Sequence, residues 1–204
     1  MDGVRAYALG SKDQPLYRSV IDFYSDREHG TRHNLVPKHW SQSARQHPLW
    51  LVYAASPFCF SAVGVYLLCA LAARPERRLY DGEHLEGCMW IVAGLVSWAC
   101  DVRDLGVPSL SHPVDRVSAT GFTAFQLGKH AAYTLHGAYA GLPGWLCALF
   151  CVGLWFGFRC FQLSVLAVNE RRLGGFLGWH SGWHVVWPAV QLLFLHGHYF
   201  GTWW

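Results

Sequence analysis

His180 and His184 stand four residues apart in the segment His180-Ser-Gly-Trp-His184. On a helix that spacing puts two imidazoles on one face, where both can grip a single metal ion. Asp101 closes an apolar run near the middle of the chain, and Ser97 lies four residues before it on the same helical face. Asp115 opens the next candidate helix. A carboxylate from a neighbouring helix would make a third ligand beside the two histidines and leave one position open for water. Zinc holds such a water near pKa ~7, which makes it a nucleophile at neutral pH. The second carboxylate would then shuttle the proton, and Ser97, one turn from Asp101, would donate a hydrogen bond to a developing oxyanion. The chemistry these residue types suggest is attack by a zinc-activated water, with His180 and His184 as ligands and the carboxylates of Asp101 and Asp115 and the Ser97 hydroxyl beside them.

A non-enzymatic reading stands beside it. Imidazoles on an apolar helix also arise where they bond backbone carbonyls or line a wet crevice, as in a receptor-like scaffold or a lipid binder. A b-type haem carrier would need two histidines at one depth on facing helices. His130 and His184 fall toward opposite halves of the candidate bundle and do not obviously meet. Trp179, Trp183 and Trp187 recur every four residues beside the histidines, and packing explains them better than a substrate platform.

These residues need elements that carry them, and the composition points to a membrane. Of 204 residues, 52% are apolar and 14% charged, against about 25% charged in soluble domains. Long apolar stretches hold no charge at all. The 11 tryptophans suit headgroup layers. A net charge of +3 is mild and gives no argument for nucleic acid. The 7 cysteines are odd in number and include no CxxC pair, so neither a disulfide framework nor a zinc ribbon is indicated. Cys147 and Cys151 share a helix face and are expected to pack in the core.

The expected fold is an all-α transmembrane bundle of about five spans, over 49–73, 85–101, 116–138, 142–168 and 176–195, within a bundle covering 49–200. Residues 1–48 form a polar leader without a signal-peptide apolar core, in which Tyr17, Ile21, Phe23 and Tyr24 suggest a short interfacial helix. The first span exceeds the ~20 residues a bilayer requires and is kinked at Pro57. The third is the most polar, with Gln126, Lys129, His130 and His136. A bundle interior accepts such a face where lipid would not. Five spans put the leader, the 102–115 loop and the 169–175 loop on one side. That side carries Arg32, Lys38, Arg45, Arg103, Arg116, Arg171 and Arg172, against Arg74, Arg77 and Arg78 opposite. The excess predicts a cytosolic N-terminus, in the endomembrane system or plasma membrane. In this arrangement Ser97, Asp101, Asp115, His180 and His184 share one membrane side and a similar depth.

The order Ser97-Trp-Ala-Cys-Asp101, then His112-Pro-Val-Asp115-Arg116, then His180-Ser-Gly-Trp-His184 resembles the CREST superfamily of membrane hydrolases. That group includes alkaline ceramidases, adiponectin-receptor type proteins and lipid-remodelling factors of the GPI-anchor pathway. The family pattern is SxxxH on one span, an Asp near the following span, and HxxxH late in the chain. The resemblance implies a zinc-dependent amidase or esterase acting on a membrane lipid. In it His180 and His184 are ligands, Asp115 orients the water and Ser97 partners the zinc-water or oxyanion. Asp101 stands where the family has its first histidine, so the implied site is two histidines and an aspartate. The chain shows about five spans where the family usually has seven.

Further polar residues have their own expected places. Arg159 is expected to neutralise Asp115 or Asp101 within the bundle, with contact to a lipid phosphate as the alternative, and Lys129 to snorkel toward the opposite interface. His112 is within reach of the site as a ligand or outer partner. His196 and His198, with Trp203 and Trp204, look like an interfacial anchor.

Overall fold

The computed structural model describes residues 36–37, 39–106, 109–135 and 144–201. The suggested interfacial helix in the leader, His136 and the terminal Trp203 and Trp204 lie outside these residues. Among the described residues there is no strand. The helices are α1 (Trp40–Gln46), α2 (Trp50–Ala55), α3 (Phe58–Ala73), α4 (Glu83–Trp98), α5 (Ser111–Leu135), α6 (Gly144–Asn169) and α7 (Leu173–Phe200). A 3-10 turn, Pro75–Arg77, leads from α3 toward α4, and a π-turn, Ala99–Arg103, extends α4. The chain is an all-α helical bundle.

Among the described residues three stretches are long and apolar enough to cross a membrane: Trp50–Ala73, Glu83–Arg103 and Gly144–Asn169. At 25 and 28 residues, α5 and α7 have the length as well. Their polar side chains keep them below the same apolar threshold, α7 alone carrying His180, His184, His196 and His198.

Pro57 divides the first stretch into α2 and α3. Without an N–H it cannot continue the ladder, and the chain restarts through Cys59 N–H to Ser56 O at 3.0 Å and Phe60 N–H to Pro57 O at 3.1 Å. Ser56, at the break, is 3% exposed and turned into the bundle. The pair α3/α4 packs through small residues, as close membrane-helix contacts do. A Cβ added at Gly64 would strike the Gly87 carbonyl, and one at Gly94 would strike the Ser61 hydroxyl. The pair α6/α7 forms a hairpin whose turn places Arg171 in the left-handed region at φ 56°. Helix α7 lies against both α3 and α6, so its histidine face looks into the middle of the bundle.

One apolar cluster closes the end of the bundle where α7 begins. Trp40, Ala44, Tyr53, Val102, Leu105 and Phe176 belong to it. The bundle thus takes in α1, which falls within the segment read from sequence as a polar leader. A second cluster, including Leu67, Trp90, Phe122, Trp187 and Tyr199, fills the middle and the far end.

Candidate metal centre

The π-turn sets the geometry of the site. An extra residue per turn rotates the residues beyond it relative to a continuing α-helix, and such turns recur at functional sites. It brings the Asp101 side chain toward α7, and the buried Tyr53 hydroxyl holds the Asp101 backbone carbonyl at 3.1 Å. His180 and His184 occupy successive turns of α7 on the same face, with ring centroids 4.5 Å apart.

Asp101 Oδ2 lies 3.1 Å from His180 Nε2 and 3.5 Å from His184 Nε2. One atom from each of the three residues falls within 4.8 Å of the others, a grouping that can hold a metal ion. Ligands at ~2.0–2.1 Å from a tetrahedral ion stand ~3.3–3.5 Å from one another, close to the measured separations. The Ser97 hydroxyl touches the same group, donating to Asp101 Oδ2 at 3.2 Å and lying 3.3 Å from His184 Nε2. His184 is 2% exposed, and Asp101 and His180 are little more open.

Each ring is also held from behind. The Ser56 hydroxyl lies 3.1 Å from His184 Nδ1 and donates to the Tyr53 carbonyl at 2.9 Å. The Ser164 hydroxyl lies 3.5 Å from His180 Nδ1 and donates to the Phe161 carbonyl at 2.7 Å. Phe176 packs against His180 with ring centroids 5.1 Å apart, and Phe60 meets His184 edge-on at 5.4 Å.

The centre opens into a cavity of about 580 Å3. Ser97, Asp101, Asp115, His180 and His184 all line it, so the sequence-predicted residues converge. Asp115 is outside the three-atom group but lines the same cavity. Much of the remaining wall is aromatic, including Trp90, Phe122, Phe158 and Trp183. His112 reaches the cavity wall and pairs with the Cys100 thiol, Sγ to Nδ1 at 3.0 Å.

The loop after the π-turn is tied by Asp104. Its carboxylate accepts from the Ser109 and Ser111 hydroxyls at 2.6 and 2.7 Å and from Arg103 at 2.8 and 2.9 Å. The Arg103 guanidinium, helped by the two serines, holds the Asp104 carboxyl well below the usual carboxylate range. This fastening fixes where α5 starts and so where His112 and Asp115 stand.

Several expectations are corrected. Arg159 does not enter the bundle; it is exposed and bonds Gln162 on its own helix at 2.8 Å. Lys129 does not snorkel, because Glu86 lies within reach across the α4–α5 seam, Oε1 to Nζ 2.5 Å. Cys151 is exposed and Cys147 half-buried, so that pair is not core. The tryptophans divide: Trp187 is buried in the core, Trp183 packs beside it along the cavity, and Trp179 faces out. His130 bonds Gln191 at 3.2 Å between Phe150 and Phe194, away from His184, which leaves no axial pair for haem between those two residues. His196 bonds the Tyr66 hydroxyl at 2.7 Å and His198 the Arg77 carbonyl at 2.9 Å, fastening α7 to α3 and its following turn.

Sequence reasoning missed Ser56, Ser164 and Tyr53. Each sits alone in an apolar run, with no motif to single it out. Comparison with protein families, with curated proteins and with solved structures finds no match.

Proposed function

We propose that the chain is an integral-membrane, zinc-dependent hydrolase of lipid amide or ester bonds, ceramidase-like in its chemistry. The observation that carries this reading is the meeting of Asp101 Oδ2 with two imidazole nitrogens at 3.1 and 3.5 Å inside a buried, cavity-lining cluster. A carboxylate oxygen facing two ring nitrogens can share one cation with both of them. The donor set, two histidine nitrogens and one carboxylate oxygen, fits zinc with a position to spare. When bound, the metal would act as a Lewis acid and make water a nucleophile at neutral pH.

The chain's own residues supply the rest. Asp101, His180 and His184 hold the ion. Asp115, which lines the same cavity as Ser97, takes the proton from the attacking water and returns it to the leaving amine or alcohol. The Ser97 hydroxyl donates to the oxygen of the scissile carbonyl as charge builds there. The aromatic wall shields the reacting group from bulk water and receives the apolar part of a lipid.

In this reading α5 and α7 cross the bilayer with the three apolar stretches, giving five spans. The arginine excess around α1 and the α6–α7 turn puts the site near the cytosolic face, in an endomembrane or the plasma membrane. Protein purified in detergent should carry about one zinc per chain, by analogy with mononuclear catalytic sites. His180→Ala should lose it and should no longer release fatty acid from N-acyl or ester lipids. Wild-type protein without zinc after metal-replete purification would overturn the proposal.

A further inference from the structure

The two serines behind the histidines share one geometry: each bonds the carbonyl three residues before it and faces the Nδ1 of a histidine in the metal-candidate group. Ser56 and Ser164 are 3% and 1% exposed, and neither belongs to the ligand group. A serine hydroxyl has one proton to donate. The Tyr53 carbonyl at 2.9 Å from Ser56 and the Phe161 carbonyl at 2.7 Å from Ser164 can only accept, and each is a nearer partner for that proton than the ring nitrogen. Each hydroxyl therefore turns lone pairs toward its histidine, at 3.1 Å from His184 Nδ1 and 3.5 Å from His180 Nδ1. An oxygen that can only accept is matched by a ring nitrogen that carries hydrogen. A neutral imidazole protonated at Nδ1 presents its lone pair at Nε2. Both Nε2 atoms are the ones that face Asp101.

We infer that Ser56 and Ser164 are positioning residues that hold His184 and His180 in the Nδ1–H form, so that both Nε2 lone pairs are aimed at a metal ion beside Asp101. This rests on the metal-binding reading proposed above and extends it to a pair of residues outside the ligand set. The two serines reach the histidines from different elements, Ser56 from the Pro57 break between α2 and α3 and Ser164 from α6. Metal affinity is thereby coupled to the packing of α7 between those elements. The break at Pro57 acquires a purpose in this arrangement, since it frees the chain to turn the Ser56 hydroxyl onto the ring.

The test measures zinc affinity by chelator competition on purified wild type, Ser56→Ala, Ser164→Ala and the hydroxyl-retaining Ser56→Thr and Ser164→Thr. Loss of an outer partner to a ligating histidine typically weakens metal binding ~10–100-fold. Ser56→Ala should fall in that range, and Ser164→Ala should lose less because its contact is longer. The threonine variants should recover most of the affinity. Nitrogen-15 spectra of the zinc-loaded protein should show hydrogen on Nδ1 of His184 and His180, a readout that needs no variant to fold. Wild type that binds zinc while both alanine variants bind it equally well, or spectra with hydrogen on Nε2, would overturn this inference and leave the metal site standing. Wild type that binds no zinc would overturn both.

Discussion

The Lys129 ammonium meets the Glu86 carboxylate 2.5 Å away inside the bundle, with the two side chains 9% and 1% exposed. Glu86 is saturated: Oε1 also accepts from Gln126 at 2.7 Å and Trp90 at 3.3 Å, and Oε2 from Tyr80 at 2.5 Å. Glu83, one turn earlier, receives the Tyr199 hydroxyl at 2.7 Å. This network clamps α5, the most polar of the long helices, onto α4 and leaves its opening turns to line the cavity.

Breaking the pair from one side should be costly. Lys129→Ala strands a buried carboxylate, a change that typically costs about 3–5 kcal/mol, whereas replacing both partners with apolar groups is often close to neutral. Thermal melts in detergent should show a large loss for Lys129→Ala and a smaller one for the double variant Lys129→Met with Glu86→Gln, which removes both charges and keeps an acceptor oxygen for the neighbouring donors. Equal losses in the two would mean that the charges do not act as a pair.

Ser97 touches both Asp101 and His184 without belonging to the ligand group, so its removal should separate rate from binding. Ser97→Ala is expected to keep zinc and to lose roughly 10²–10³-fold in kcat, the usual size of one oxyanion donor. A variant that loses its metal would place Ser97 among the ligands.

Asp115 and Asp101 should respond in opposite ways to the same chemical change. Asp101→Asn takes the charge out of the three-atom group and should release zinc. Asp115→Asn leaves that group intact and should keep zinc while lowering kcat by ~10²–10⁴-fold, as for loss of a general base. Zinc content beside turnover in the two variants decides the matter, and matching zinc contents would overturn the division of labour.

What was legible in the sequence was what depends on spacing along one helix. Ser97 with Asp101 and His180 with His184 are each four apart, and a four-residue step puts side chains on one face whatever surrounds them. The long helices follow from apolar length, and the observed α4, α6 and α7 overlap the expected spans closely. Contacts between helices were not legible. Lys129 finds Glu86 43 residues away, and Ser56 finds His184 128 residues away. No local pattern encodes either partner. Arg159 illustrates the converse error: a charge inside an apolar run invites an inward reading, yet its position on α6 turns it outward toward Gln162. The division at Pro57 was visible as a kink, but its consequence, an inward Ser56, depends on how α7 sits against it.

The fastening at Asp104 gives a pH signature on the cavity side of the fold. Its carboxyl is held below the usual range by Arg103 and the two serine hydroxyls, while in the unfolded chain it returns to about 3.9. As pH falls, the unfolded chain therefore takes up the proton first. The stabilising contribution is complete at neutral pH and down to the unfolded value, and is lost as pH drops from there through the lower folded one. Asp104→Asn cannot follow this course, because its side chain does not titrate. Wild type should melt higher than Asp104→Asn by a constant margin from pH 7 to about pH 5, and the margin should shrink below about pH 4. High salt should reduce the margin as well, because the Arg103 side of the pair is 59% exposed and open to screening. A margin independent of pH would mean that the carboxylate charge plays no part in holding the loop. If the loop does set the start of α5, Asp104→Asn should also lower turnover while leaving zinc bound, because it displaces Asp115 and not Asp101, His180 or His184.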